Sequence, residues 1–436
     1  MWSKTGILPG LAALALTVGL SSTGNAQAVP PVGQDQGVSA WGFDMSQVTL
    51  STGRFFDNQA RTLVYLKWID VDRLLYVFRK NHGLYTNNAQ PNAGWDAPDF
   101  PFRSHVQGHF LNAWAFCYAQ LQDSECKRRA TYFAAELKKC QHNNTNSRNV
   151  PYYAIHKTMA GLLDVWRLIG DTNARDVLLA MAAWVDLRTG KLTYQQMQDM
   201  MGTVFGGMNE VLADLCRQTG DQRWVTVAQR FDHAAIFNPL ASNQDSLSGL
   251  HANTQDIARN AWNITVSAHS YAIGGNSQAE HFRLPNAIAG FLTSDTCEAC
   301  NTYNMLKLTG ELWLTNPDTT TYFDFYERAL LNHLLGQQDP SNSHGHVTYF
   351  TPLNPGGRRG VGPAWGGGPV ILNGNYCNEI LSTTPALDLA TVKRSGATGL
   401  AFTATAGGKT VNLGQFYDAQ GFNYNVYWSV NGKLPA

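Results

Sequence analysis

Glu280, Cys297, Glu298 and Cys300 fall within one stretch, Tyr271 to Leu308, that carries few other charges. Glu298-Ala299-Cys300 sets a carboxylate and a thiol one residue apart, a hard and a soft donor together, which suits a borderline-soft cation such as zinc. Glu280, upstream, is a second carboxylate that can serve as a general acid. Cys297-Glu298-Ala299-Cys300 also scans as a lone C-x-x-C. On its own that pattern fits a redox pair, half a zinc knuckle, a structural disulfide or two buried thiols, and neither a βαβ pattern nor a second C-x-x-C accompanies it.

Other segments concentrate polar chemistry at helix starts. His105 and His109 are i and i+4 on one helical face, after Gly94-Trp95-Asp96-Ala97-Pro98-Asp99. Such a pair can ligate metal, but no Glu lies between them in the metalloprotease manner. A cleft lining in which imidazoles donate to hydroxyls fits better, with Trp95 and Asp96 beside them, and packed histidines are the plain alternative. Pro151-Tyr152-Tyr153-Ala154-Ile155-His156-Lys157 has the same form. Phe205-Gly206-Gly207-Met208-Asn209-Glu210 and Gly274-Gly275-Asn276 lack the preceding strand that a nucleotide or phosphate loop requires. Most of the 12 Trp belong to the core; Trp95 and Trp365, set among glycines and prolines, are the expected exposed ones.

The chain has 436 residues, enough for one large domain with an appendage. Its 32 basic and 32 acidic side chains cancel, which gives no electrostatic footprint for nucleic acid or an anionic membrane. The N-terminus reads as a secretory signal peptide over residues 1–28: Lys4, an apolar run from Ile7 to Leu20, then Ala26-Gln27-Ala28 as a cleavage site. The expected mature protein is extracellular, where disulfides persist, and carries no membrane segment after signal removal. With 7 cysteines at least one thiol stays unpaired, and a disulfide among Cys117, Cys126 and Cys140 is the simplest pairing. Asn143 and Asn263 stand in glycosylation sequons.

These residues need a scaffold, and the periodicity supplies a helical one. Apolar spacing predicts one helix from Phe56 to Arg79, two between His105 and Gln141 split at Gln122-Asp123-Ser124, then Ala154 to Ile169 paired with Ala174 to Leu187. Met208 to Gln218 pairs with Trp224 to Phe231, and Thr302 to Leu314 with Tyr322 to Leu335. Gly170-Asp171 and Gly220-Asp221 punctuate two of these hairpins at a spacing of 50 residues, the period of a helical toroid. Val48 to Leu50 reads as a short strand. From Val347 the pattern turns β-like, with strands at Leu400–Thr405, Thr410–Leu413 and Tyr424–Val430. The expected organisation is a leader over 29–44, a helical domain over 45–346 and a loop and β-rich region over 347–436 that packs on the body.

Gly94 to Pro98, the His105/His109 pair, Val150 to Lys157, Phe205 to Glu210, Gly275 to Phe282 and Glu298 to Lys307 together resemble the β-L-arabinofuranosidases of glycoside hydrolase families 127 and 146. The resemblance covers about residues 45 to 368. It implies a mainly α fold, an (α/α)6 barrel followed by sandwich-like β material. It also implies a zinc ion held by one Glu and three Cys, one of those Cys being the nucleophile of a retaining mechanism. Glu298 and Cys300 match the Glu-x-Cys zinc pair, Glu280 the acid/base, His156 and His251 the sugar-binding histidines, and Asn209 with Glu210 a further substrate-facing position. The implied partner is an arabinose-containing oligo- or polysaccharide.

Three junctions depart from the family pattern. Between Asn144 and Val150 only Thr145 to Arg148 remains of a longer stretch, and Gln255 runs directly into Asp256 where the family has about a further helix. After Gly368 there is a single thiol, Cys377, where the family carries an adjacent Cys-Cys pair. Cys377 is therefore the candidate nucleophile and also the third protein ligand to zinc. The three gaps, each with intact flanks, read as excisions from a longer parent, an expectation that sequencing the transcript would sink by returning the same frame. Two other functions remain open: a sugar-binding member without turnover, and a lyase or unsaturated-uronyl hydrolase on the same toroid, against which the Glu-x-Cys pair argues.

Overall fold

The computed structural model describes residues 39–40, 42–92, 96–99, 103–104, 106–141, 151–202, 206–250, 258–341, 343–345 and 347–357, with strands at 393–394, 399–406, 409–417 and 424–430. Up to residue 357 the regular elements are helices: α1 Arg54–Trp68, α2 Val71–Asn81, α3 Gln107–Leu121, α4 Ser124–Gln141, α5 Pro151–Asp164, α6 Thr172–Thr189, α7 Tyr194–Met201, α8 Met208–Thr219, α9 Arg223–Gln229, α10 Ala234–Ala241, α11 Ala258–Ile264, α12 Ala299–Thr315 and α13 Thr321–Ala329. No helix among the described residues is long and apolar enough to cross a membrane.

The hairpin turns have the predicted chemistry. Gly170 and Gly220 close their helices in the left-handed region at φ 80 and 74, where glycine has no Cβ penalty. Asp171 then caps α6, accepting from the Ala174 amide at 2.8 Å, and Asp221 accepts from the amide of Arg223, the first residue of α9, at 2.9 Å. The expected helix from Phe56 to Arg79 is two helices. Asp70 interrupts it by accepting from the amides of Asp72 at 2.9 Å and Arg73 at 3.4 Å. Val48 to Leu50 is extended chain after a 3-10 turn at Met45–Gln47, not a strand.

Side chains from α1 through α9 form the main core, with Leu75, Leu111, Trp114 and Phe133 fully buried. Helices α3 and α5 cross backbone to backbone. A Cβ on Gly108 would lie 1.9 Å from the Lys157 carbonyl oxygen, and one on Gly161 2.4 Å from that of Gly108. Charged links also join the helices. Buried Arg79 of α2 bonds Asp72 at 2.7 Å, Tyr132 at 2.8 Å and Glu136 of α4 at 2.8 Å. Asp164 of α5 accepts from Asn112 of α3 and pairs with Arg167 at 2.5 Å, which reaches Asp214 of α8 at 3.6 Å.

A second core, built from α12, α13, Trp262, Val347, Tyr349 and Phe350, carries the stretch from Glu298 to Cys300. Its helix α13 runs on through a π turn at Leu330–Leu334. The C-terminal strands β1 Lys393–Arg394, β2 Gly399–Ala406, β3 Lys409–Tyr417 and β4 Tyr424–Val430 form one antiparallel meander, order β1-β2-β3-β4. The β2/β3 register, Ala406 opposite Lys409, leaves Gly407-Gly408 as the connection.

Candidate active site

Three strips, from residues 276–281, 295–298 and 347–351, the first turning back on itself at Ala279-Glu280, lie side by side at the head of α12 and bring distant residues together. The Cys297 amide donates to the Ser277 carbonyl at 3.0 Å and Ala279 to Asp295 at 3.0 Å, which joins the first two strips. Ala299 donates to Tyr349 at 3.1 Å and Thr351 to Thr296 at 3.0 Å, which joins the third. Side chains lock the arrangement, with the Asn301 amide donating to Ser277 Oγ at 2.7 Å and Gln278 to Asp295 at 2.9 Å.

Four non-glycine residues in these strips adopt left-handed backbone: Ser277 at φ 72, Ala279 at 46, Glu280 at 67 and Cys297 at 57. Each such residue costs roughly 1–2 kcal/mol and persists only where the surroundings over-determine it. Backbone held in this way clusters at active sites and ligand clamps.

The Tyr349 hydroxyl stands between the two carboxylates, 2.5 Å from Glu280 Oε1 and 2.8 Å from Glu298 Oε1. Glu298 is the cap residue of α12 and is 1% exposed; Cys300 is the second helical residue and half-buried. Both therefore sit at the positive end of the helix dipole, which favours a carboxylate and a thiolate. Tyr153 of α5 lies beside them: burial pushes its phenol pKa up, Lys157 opposes this, and the negative charges of Cys300 and Glu298 add to the rise. The Lys157 ammonium sits 4.1 Å from the Tyr153 ring centre, and Lys307, further along α12, pairs with Glu210 of α8.

His156 packs at 5.5 Å, edge to face, with Tyr153, and its Nδ1 lies 3.3 Å from the Tyr152 carbonyl. A Cβ on Gly207 would fall 2.4 Å from His156 Nε2, so the glycine pair before α8 makes room for this imidazole and is no phosphate cradle. Burial, then the charges of Lys157 and Lys307, lower the His156 pKa from 6.5 to about 3. The folded chain thus binds fewer protons than the unfolded chain between those values, so stability falls as the pH drops from about 6.5 toward 3. Between pH 7 and pH 5 the wild type should lose more of its urea midpoint than His156→Gln. Equal losses would rule out a neutral imidazole at this position.

The remaining expected site residues divide. His109 lies half-buried in the first turn of α3, beside the Gly108 crossing onto α5, so the turns bearing His109 and His156 come together. Asp96, expected in a cleft, is instead a buried brace, fully covered and accepting from Asn92 at 2.6 Å, the Ser104 amide at 2.9 Å and Gln107 at 2.7 Å. Asn209 likewise donates inward, to the Ala228 carbonyl at 3.2 Å and Asp232 at 2.8 Å, so its amide joins α8 to the end of α9. Trp95, His105, His251 and Cys377 lie outside the described residues, as do Trp365, Asn143 and the three departures from the family pattern.

Among the cysteines, Cys117 and Cys126 form a disulfide, while Cys140 is a buried free thiol. Cys117, Asp123 and Cys126 converge, but with both sulfurs in the disulfide they are no metal site. At the head of α12, Glu298 brings a carboxylate and Cys300 a thiol to neighbouring helical positions. Sequence reading missed Tyr349, and it held Tyr153 and Lys307 only as members of the Pro151–Lys157 and Glu298–Lys307 motifs, with no role of their own. Only the β-like alternation of Val347 to Phe350 hinted at the first.

With this geometry in place, a family model described as β-L-arabinofuranosidase, GH127 catalytic domain, matches residues 47–256 and 255–367. The chain belongs to the GH127 family. It is a glycoside hydrolase by that membership, and the two matched pieces meet at the expected Gln255/Asp256 junction. A solved GH127 β-arabinofuranosidase superposes with a TM-score of 0.60 at 14% identity, covering 89% of this chain and 69% of its own. A second structure, titled glycoside hydrolase, gives 0.58 at 12%, covering 94% and 71%. At these identities the likeness speaks for the fold, the (α/α)6 toroid of GH127. A mutant unsaturated glucuronyl hydrolase from Streptococcus agalactiae gives 0.45 at 14%, covering 78% and 94%. No curated protein matches the sequence.

Proposed function

We propose that this GH127 chain is a secreted enzyme that removes β-L-arabinofuranosyl residues from plant-type glycans with retention of configuration. The observation that carries the reading is the assembly of Glu280, Tyr349 and Glu298 at the head of α12 beside Cys300. Glu298 and Cys300 would hold zinc, with Cys377 as the third protein ligand. When bound, the metal keeps a thiol in its thiolate form near neutral pH.

In the reaction the Cys377 thiolate attacks the anomeric carbon, a carbon–sulfur bond forms, and the carbon–oxygen bond to the leaving group breaks. Glu280 supplies the proton to the departing oxygen. As a carboxylate it then takes a proton from the water that attacks the anomeric carbon, releasing the sugar and the free thiolate. His156, neutral and edge-packed on Tyr153, supports sugar binding as a hydroxyl partner. Signal cleavage after Ala28 would deliver the chain to an oxidising compartment, in keeping with the Cys117–Cys126 disulfide.

Purified protein should contain about one zinc per chain and release arabinose from a β-L-arabinofuranoside, with Cys377→Ala abolishing release. Activity surviving that substitution would exclude Cys377 as nucleophile. The single thiol in place of a Cys-Cys pair favours a second reading, a glycan-binding member without turnover. Glycan binding with neither hydrolysis nor bound zinc would establish it.

A further inference from the structure

Near the end of α6 the protein carries an aromatic surface that the proposed chemistry does not use. Trp184 is 40% exposed there, and Arg188, one turn on along the same face of the helix, is exposed too. The Trp184 ring lies 6.3 Å from that of Tyr152 in α5, between centres, and Tyr152 meets buried Phe231 edge to face at 5.3 Å. Arg230 fixes the base of this cluster by donating to the Asp186 carbonyl at 2.9 Å and the Thr189 hydroxyl at 3.0 Å, which ties the end of α6 to the end of α9. The rings are held in place before any ligand arrives.

Three polar heads here have no hydrogen-bond or ion-pair partner among the described residues: the Trp184 indole N–H, the Arg188 guanidinium and the Tyr152 hydroxyl. Burial raises the pKa of the Tyr152 phenol and the Arg188 charge works against that rise, which puts the guanidinium near the hydroxyl. The hydroxyl is the telling one, because Tyr152 is only 8% exposed and a phenol buried that far normally finds a partner within the protein. A flat apolar ring edged by donors and a hydroxyl suits a sugar, whose C–H face packs on the aromatic while its hydroxyls meet the polar heads. The surface also adjoins the sugar site already described. Tyr152 precedes His156 by one turn of α5, about 5 Å along the helix, and the His156 Nδ1 lies 3.3 Å from the Tyr152 carbonyl.

We propose that Trp184, Arg188 and Tyr152 form a distal binding site for a sugar residue of the glycan chain beyond the bond that is cut. This rests on the reading that His156 holds the arabinofuranosyl unit. GH127 membership makes a glycan the substrate, and the distal site makes the preferred one an oligo- or polysaccharide rather than a simple arabinofuranoside. The test uses the full chain with a nitrophenyl β-L-arabinofuranoside, which cannot reach the distal site with a second sugar, and with a β-L-arabino-oligosaccharide, which can. Trp184→Ala and Arg188→Ala should each raise KM on the oligosaccharide about 10-fold, the scale of one aromatic contact or one charged hydrogen bond, and leave kcat/KM on the nitrophenyl glycoside within about twofold. Tyr152→Phe deletes a hydroxyl that bonds nothing among the described residues. Its urea midpoint should match wild type while oligosaccharide affinity falls, a split that a merely structural tyrosine would not give.

Equal losses on both substrates, or an oligosaccharide KM unchanged in all three variants, overturn the proposal. Should Trp184→Ala fail to fold, exposed Arg188→Ala and Trp184→Phe, which keeps a ring, carry the same comparison. Calorimetric titration with the oligosaccharide separates this proposal from the reading of the catalytic site. Binding that weakens in the variants of a protein that hydrolyses neither substrate upholds the distal site and rejects the arabinofuranosidase. Hydrolysis of the nitrophenyl glycoside, with oligosaccharide binding unchanged in the variants, does the reverse. Wild type that binds no oligosaccharide overturns the distal site outright.

Discussion

Glu298→Ala should leave the protein without stoichiometric zinc and without hydrolytic activity. Folding-coupled zinc sites are worth about 10–16 kcal/mol over four ligands, so one ligand accounts for roughly 3 kcal/mol, or about 10²-fold in affinity. Dialysis against a weak chelator followed by metal analysis separates the variant from wild type at that difference. Because Glu298 is buried and accepts from the Tyr349 hydroxyl at 2.8 Å, a urea midpoint measured alongside separates loss of metal from loss of fold. Glu298→Gln is the sharper version: it keeps an oxygen for the Tyr349 hydroxyl while removing the charge, and it should lose zinc almost as fully. A Glu298→Ala protein that retains one zinc per chain would sink the metal assignment.

The second large effect is on stability. Gly108→Val should destabilise the helical body by at least about 3 kcal/mol, the upper end of ordinary overpacking, because the new Cβ would meet main-chain atoms of α5 that cannot rotate away. The Lys157 carbonyl oxygen lies 1.9 Å from that position and the Thr158 nitrogen 2.6 Å. Prising α3 from α5 also separates the turns that carry His109 and His156, so sugar binding should fall with stability. Gly310→Ala in α12 is the control: nothing lies within 4 Å of its added Cβ, and the change should be neutral or stabilising by about 0.5–1 kcal/mol. Urea midpoints that move alike for both would remove the close crossing as the explanation.

The parts of this protein that were legible in its sequence are those set by local rules. The Gly170-Asp171 and Gly220-Asp221 turns carry their own stop and start chemistry, so the hairpins around them follow from the residues. The helix break at Asp70 was hidden because apolar periodicity runs unbroken across a cap that only backbone geometry reveals. Helices α7, α10 and α11 are short, and α10 holds Pro239 within it, so their pattern is too weak to read.

At the site, Glu298 and Cys300 are neighbours in sequence and could be paired by inspection. Their link to Glu280 through Tyr349 depends on three strips meeting in space, and no local signal encodes that. Asp96 shows the converse, since a polar residue amid aromatics and glycines suggests a cleft, whereas here it is fully covered and satisfies the Ser104 amide.

The strips have a consequence for how this enzyme family can change. Glu280 and Glu298 are held by cross-links at Gln278, Ala279, Thr296 and Cys297, and the excursion between them, residues 282–294, is tied to that frame near its two ends, by Arg283 donating to the Gln278 carbonyl at 3.1 Å and by the Phe291 and Thr293 turn around the Thr296 hydroxyl. Leu284 in that excursion is 60% exposed and Leu292 41%. The stretch between Asn286, whose amide donates to the Ala268 carbonyl at 2.8 Å, and Phe291 can therefore be lengthened, shortened or exchanged while the carboxylates keep their distance. Variation is cheap in that segment, and it can accumulate there without touching the chemistry.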